Sequence, residues 1–135
     1  SEFFEKNRML YYDNLSIVRL KNNLTQWLKF FLVGVKQTAD KSIFTLKEII
    51  KLRDECISKI SELGKKSSNA KQLLYFLFKN PIVDAKDVSN EVEISISTAI
   101  RFLDDFIRIG ILKERTGFQR NRQYSFEKYI DLFRK

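Results

Sequence analysis

Apolar residues recur at helical spacing along nearly the whole chain. Phe4, Tyr11, Leu15 and Val18 share one face of a segment from residue 2 to about residue 20, which predicts an amphipathic helix. Lys21-Asn22-Asn23 interrupts the pattern, and Asn23 with Gln26 three residues later reads as a capping box for the next helix. In that helix Leu24, Leu28, Phe31 and Val35 form a stripe, widened by Trp27 and Leu32 and continued by Ala39, Ile43, Leu46, Ile50, Ile57 and Ile60. Thr45 and Glu48 offer a second cap, so the pattern allows one long helix or two between Leu24 and Leu63. A single helix would be about 60 Å long at 1.5 Å per residue, a rod that normally packs beside other helices or a second subunit.

The stretch Gly64-Lys65-Lys66-Ser67-Ser68-Asn69 is the one linker-like segment: a glycine to stop a helix, then small polar residues. It divides the chain into a helical segment, residues 1–64, and a second domain, residues 65–135. Ala70 to Lys79 predicts a helix with Leu73, Leu74 and Leu77 inward, closed by Asn80-Pro81. Asp84 is a natural N-cap for a short helix from Ala85 to Val92, and Ser95 for a longer one ending at Ile109. Ile96, Ile100, Leu103 and Ile107 are its expected buried stripe, broadened by Phe102, Phe106 and Ile109. Ser97, Arg101, Asp104 and Arg108 fall opposite, with Thr98 beside them. Gly110 stands where a left-handed residue ends a helix. Ile111–Arg115 and Gln123–Phe126 predict two short strands around Gly117, and Glu127–Arg134 a closing helix. Two helices, a glycine stop and a basic hairpin, in that order, give the expected fold class. It is mostly α, with a long helix or bent pair followed by a winged helix-turn-helix domain bearing a small β-hairpin wing.

Composition narrows the function. Hydrophobic residues make up 44% of the 135, enough for a packed core, which excludes global disorder. No histidine is present, which removes the commonest general base and metal ligand. The single cysteine, Cys56, lies in a helical pattern and reads as a buried structural thiol in a reducing, cytoplasmic compartment. One cysteine cannot build a zinc site, no glycine-rich phosphate loop occurs, and no apolar run is long enough for a membrane span. Neither a cofactor nor a catalytic residue is expected in this chain. It opens on Ser1 rather than methionine, which fits a processed chain or an excised fragment.

Net charge is +8, which favours an anionic partner. Residues 1–64 carry eleven basic and eight acidic residues, and residues 65–135 fourteen and nine. Four basic residues and one acid fall within Lys113–Arg122. Two groups of candidate contact residues follow. Ser95, Ser97, Thr98 and Arg101 lie in the N-terminal half of the second helix of the helix-turn-helix, where base edges are reached. Lys113, Arg115, Arg120 and Arg122 share the hairpin with Phe118 and Tyr124, suited to phosphate or minor-groove contact. The competing reading is that the hydroxyls only cap the helix and the arginines only solvate an edge. Asp104 and Asp105, with Asp84, Asp87, Glu91 and Glu93 on the preceding helix, weigh toward it because carboxylates repel phosphates. Double-stranded DNA is therefore one expected partner. A protein partner, or self-association through the N-terminal helices, is the other. Trp27, Phe30 and Phe31, like Phe3, Phe4, Tyr11 and Tyr12, read as core packing rather than a nucleotide-stacking box.

Ser1-Glu2-Phe3-Phe4-Glu5-Lys6-Asn7-Arg8 followed by Tyr11-Tyr12-Asp13-Asn14-Leu15, and then Trp27-Leu28-Lys29-Phe30-Phe31-Leu32-Val33-Gly34-Val35, resemble the region after the catalytic loop in Fic family proteins. Many of these carry a C-terminal winged helix, so the resemblance covers essentially the whole chain. It implies a parent enzyme that transfers AMP from ATP to protein hydroxyls, of which this chain would be a non-catalytic C-terminal fragment. The family's His-Pro-Phe-x-x-Gly-Asn-Gly-Arg loop is absent, as is its inhibitory Ser/Thr-x-x-x-Glu-Gly/Asn pattern. No catalytic, ATP-binding or magnesium-binding residue carries over. A protein-interaction module and a free-standing winged-helix transcription regulator, dimerising through the long helix, are the alternatives.

Overall fold

The computed structural model describes residues 2–22, 24–115, 117 and 120–134. They fall into two compact units, Ser1–Lys47 and Glu48–Lys135.

The first unit is helical. α1 (Glu2–Lys6) and α2 (Arg8–Lys21) lie where the pattern suggests one helix. The break is at Asn7, whose side-chain amide donates to the Phe3 carbonyl at 2.9 Å, a side-chain bond that competes with helix propagation. α3 (Leu24–Ser61) begins in this unit and runs unbroken into the second, with Thr45 inside it rather than capping a new helix. The capping residue expected at Asn23 lies outside the described residues. Phe3, Phe4, Tyr11 and Phe30 meet ring to ring with centroids 5.3–6.4 Å apart, and Trp27 stacks on Phe31 at 5.3 Å. This is the packing the aromatic spacing predicts, except at Tyr12, which is exposed. Gly34 is buried against it: a Cβ there would stand 2.5 Å from Phe3 Cδ1. Of the expected stripe, Leu24, Leu28 and Val35 are exposed, as are Leu32, Ile43 and Leu46, while Phe31 stacks on Phe4 at 5.8 Å.

The second unit is a winged helix. After α3, Gly64–Lys66 forms a 3-10 turn, and α4 (Ser67–Lys79) follows. Then come β1 (Ile82–Asp84), α5 (Ala85–Val92), α6 (Ile96–Arg108), β2 (Lys113–Glu114), β3 (Gln123–Ser125) and the short α7 (Glu127–Asp131). The sheet is antiparallel in the order β1-β3-β2, so β3 is central. Val83 stands opposite Tyr124, which stands opposite Glu114. β1 is absent from the sequence-based expectation, because three residues after Pro81 are too few to show alternation.

The core takes Ala70, Leu73, Leu74 and Leu77 from α4, Val88 and Val92 from α5, and Ala99, Phe102, Leu103 and Phe106 from α6. Leu52, Cys56 and Ile60 from the end of α3 complete it, with Ile111, Leu112, Tyr124 and Phe126. Burial pushes the Cys56 thiol up to about 11, because a low-dielectric surrounding disfavours the thiolate. The expected stripe of α6 needs correction. Its apolar arc is wider than the core it faces, so Ala99 with Phe102, Leu103 and Phe106 is buried while Ile96, Ile100 and Ile107 are 55%, 40% and 36% exposed. Tyr124, grouped with the hairpin's basic residues from sequence, is instead a core residue at 1% exposure. Phe133 lies beyond α7 and is exposed, touching only the edge of Tyr129.

Candidate nucleic-acid interface

Two N-caps set the helix-turn-helix. Asp84 accepts from the Asp87 backbone N–H at 2.8 Å, and Asp87 accepts from the Asp84 N–H at 3.0 Å, a reciprocal capping box at the start of α5. Glu93 ends α5 in the left-handed region (φ 57). The turn is closed by the Ile94 N–H donating to the Ser89 carbonyl at 3.2 Å and by the Ser89 hydroxyl donating back to the Ile94 carbonyl. Ser95 then caps α6, its Oγ accepting from the Thr98 N–H at 3.2 Å. Ser95 Oγ also bonds Thr98 Oγ1 at 2.8 Å and lies 3.1 Å from Ser97 Oγ. Ser95 and Thr98 are thus occupied with the cap. Ser97 and Arg101 point outward on the exposed face of α6.

The acids around this face are partly engaged. Asp84 and Asp87 hold each other's backbone. Asp105, 17% exposed, pairs with Arg108 at 3.1 Å and Lys66 at 3.3 Å. Asp104, Glu91 and Glu93 stay exposed. The caps leave the charges of Asp84 and Asp87 in place, so of the six carboxylates only Asp105 is offset by cations.

At the helix end Gly110 adopts φ +81, and the chain turns into the hairpin. The ladder continues past β2 through the Arg115 N–H, which donates to the Gln123 carbonyl at 2.8 Å. Lys113, Arg115, Arg120 and Arg122 are all exposed on this hairpin. Arg122 Nε lies 3.5 Å from Glu114 Oε1. Lys113, Arg115 and Arg120 have no ion pair among the described residues. Phe118 lies outside the described residues.

Between α6 and the hairpin runs a groove of about 540 Å³. Ile96 and Ile100 line it from α6, Lys86 and Asp84 from the start of α5, and Arg120 and Arg122 from the hairpin. Of the predicted contact residues the groove takes Arg120 and Arg122, not Ser95, Ser97, Thr98, Arg101, Lys113 or Arg115, and it adds three residues that the spacing does not mark, Lys86, Ile96 and Ile100. Lys86 stands among acids on α5 and carries no spacing signal of its own. Ile96 and Ile100 were assigned to the core, and helical spacing alone cannot say how much of an apolar arc is covered.

No protein-family model matches the chain, and no curated protein is similar to it. Among solved structures the chain is similar to Sco5413, a MarR family transcriptional regulator from Streptomyces coelicolor. The TM-score is 0.40 and the identity 15%, over 73% of this chain and 72% of that one. A likeness that loose carries no argument about function, and none of these comparisons points to a Fic origin. No helix is long and apolar enough to cross a membrane among the described residues.

Proposed function

We propose that the chain is a winged-helix regulatory module that binds double-stranded DNA, with α6 in the major groove and the β2–β3 hairpin on the sugar-phosphate backbone. The observation that carries this reading is the groove that joins the N-terminal half of α6, through Ile96 and Ile100, to the cations Lys86, Arg120 and Arg122, with Ser97 and Arg101 exposed on the same helix. Exposed hairpin cations with no ion pair among the described residues suit phosphates, and an exposed N-terminal half of the second helix suits base edges. Fluorescence anisotropy on a labelled 20-base-pair duplex tests it. Binding should weaken steeply between 50 and 200 mM salt, by about tenfold or more if several phosphates are neutralised. Arg120→Ala and Arg115→Ala should each lower the slope of log K against log salt by about one. Absence of binding at 50 mM salt would refute the reading.

A second reading has its own support. The two segments that resemble Fic proteins pack on each other: Gly34 of the second lies against Phe3 and Phe4 of the first. On that reading the chain is the non-catalytic tail of a protein AMP-transferase, transfers nothing by itself, and its winged helix targets or regulates the parent. A His-Pro-Phe-x-x-Gly-Asn-Gly-Arg loop encoded directly upstream of Ser1 would decide for it. A gene without one leaves the free-standing regulator. In either case the exposed row Leu24, Leu28 and Val35 of α3 suits a protein partner or a second copy, because contiguous apolar surface tends to associate.

A further inference from the structure

We infer that Ile96 and Ile100 read the C5-methyl groups of thymine in the major groove, so that the module prefers thymine-bearing sites. The inference rests on the DNA reading above and names what α6 recognises. Three observations carry it. Ile96 and Ile100 are 55% and 40% exposed, one turn apart in the N-terminal half of α6. That half of the second helix is the part that reaches base edges in a helix-turn-helix. Ser97 and Arg101 are their immediate neighbours in sequence. Second, the residues themselves are unexpected at solvent-facing helix positions, where alanine, lysine or glutamate would favour the helix more. A β-branched side chain has few rotamers to lose, which makes it a stiff contact for a methyl group.

Third, the surroundings suit a nucleic acid better than an apolar partner. Lys86 and Arg120 border the two isoleucines in the groove and have no ion pair among the described residues. The groove's lining carries three cations, Lys86, Arg120 and Arg122, against one acid, Asp84, so its net charge is positive. Burying those cations under an apolar surface would strand them. A duplex strand passing between α6 and the hairpin offers phosphates to the cations while its base edges meet the isoleucines. In the major groove thymine is the base that presents an apolar group, its C5-methyl, and aliphatic side chains are its natural contact.

The test uses two 20-base-pair duplexes of one alternating adenine–thymine sequence, the second with deoxyuridine in place of every thymidine. Uracil keeps the hydrogen-bonding edge and lacks only the methyl. Each buried methyl should contribute about a fourfold preference, so two give roughly fifteenfold tighter binding of the thymine duplex. Ile96→Ala and Ile100→Ala should each reduce that ratio, and the double variant should bring it close to one. Affinity for the uracil duplex should stay within about twofold, which a variant that failed to fold would not do. Equal affinity of the unaltered chain for both duplexes overturns the inference and leaves the DNA reading standing. A thymine preference that survives the double variant also overturns it. Binding to neither duplex at low salt removes the DNA reading and the inference with it.

Discussion

Replacing Gly34 with alanine sets two opposed effects against each other, and the structure says which wins. Gly34 lies inside α3, where alanine is favoured over glycine by about 1 kcal/mol because less backbone entropy is lost. The added methyl, however, would stand 2.5 Å from Phe3 Cδ1, 2.6 Å from Phe3 Cε1 and 3.1 Å from Phe4 Cζ. The Phe3 ring cannot swing away cheaply, since Phe4 meets it edge-on at 5.3 Å and Phe30 at 5.7 Å. Overpacking of this kind costs about 1–3 kcal/mol. Gly34→Ala alone should therefore destabilise the first unit, by up to about 2 kcal/mol once the helix gain is subtracted. In a Phe3→Ala background the two closest contacts are gone and Phe4, at 3.1 Å, has room to shift by the few tenths of an ångström needed, so the same change should become stabilising by up to about 1 kcal/mol. The reversal of sign is the signature, and the double-mutant cycle should give a coupling of about 1–3 kcal/mol. Urea unfolding followed by tryptophan fluorescence is the natural assay. The chain has one tryptophan, Trp27, stacked on Phe31 in the same unit. A stabilised single variant, or an equal effect in both backgrounds, would show that the aromatic cluster does not hold Phe3 against the glycine.

Two further outcomes follow from the second unit. Ser95→Ala should cost about 1 kcal/mol in urea unfolding followed by circular dichroism, and Ser95→Asp should recover most of it, because aspartate also accepts the Thr98 N–H. With the Cys56 thiol pushed from 9.0 to about 11, its thiolate fraction at pH 8 falls by about a hundredfold. Alkylation by iodoacetamide should slow at least that much relative to the chain in urea. The raised value also means that the stability tied to the neutral thiol is complete below pH 9 and is lost as pH climbs through about 11.

The helix-turn-helix was legible because its signals are local. Asp84 and Ser95 are caps that bond backbone groups three residues away, and Gly110 is a left-handed stop, so each can be read from a few neighbours. What the sequence could not give depends on distant parts of the chain. β1 exists because β3, some forty residues later, pairs with it. Tyr124 is buried because the sheet places it opposite Val83. Ile96, Ile100 and Ile107 belong to the same helical period as Leu103, and only the extent of the surrounding core separates them. Thr45 offered a cap that α3 does not use, because a side-chain acceptor matters only where the backbone already leaves the helix. Of the predicted contact residues all but Thr98 are exposed, and Ser95, Ser97 and Thr98 share the hydroxyl hydrogen bonds at the start of α6.

Asp84 serves two elements at once: it is the last residue of β1, in register with Gln123, and it caps α5. One residue thereby couples the base of the hairpin to the first helix of the helix-turn-helix. Insertion of a residue between Pro81 and Ala85 would shift the strand by one, turn Val83 out of the core and uncap α5 together. Gly117, by contrast, has φ +63 and open space around its α-carbon, so a side chain there would strain the backbone but meet no other part of the domain. Loop tips of this kind accept changes of length without cost to the scaffold. The domain is therefore divided into a base that must be inherited intact and a tip that is free to vary, which lets related chains acquire new targets while keeping the same fold.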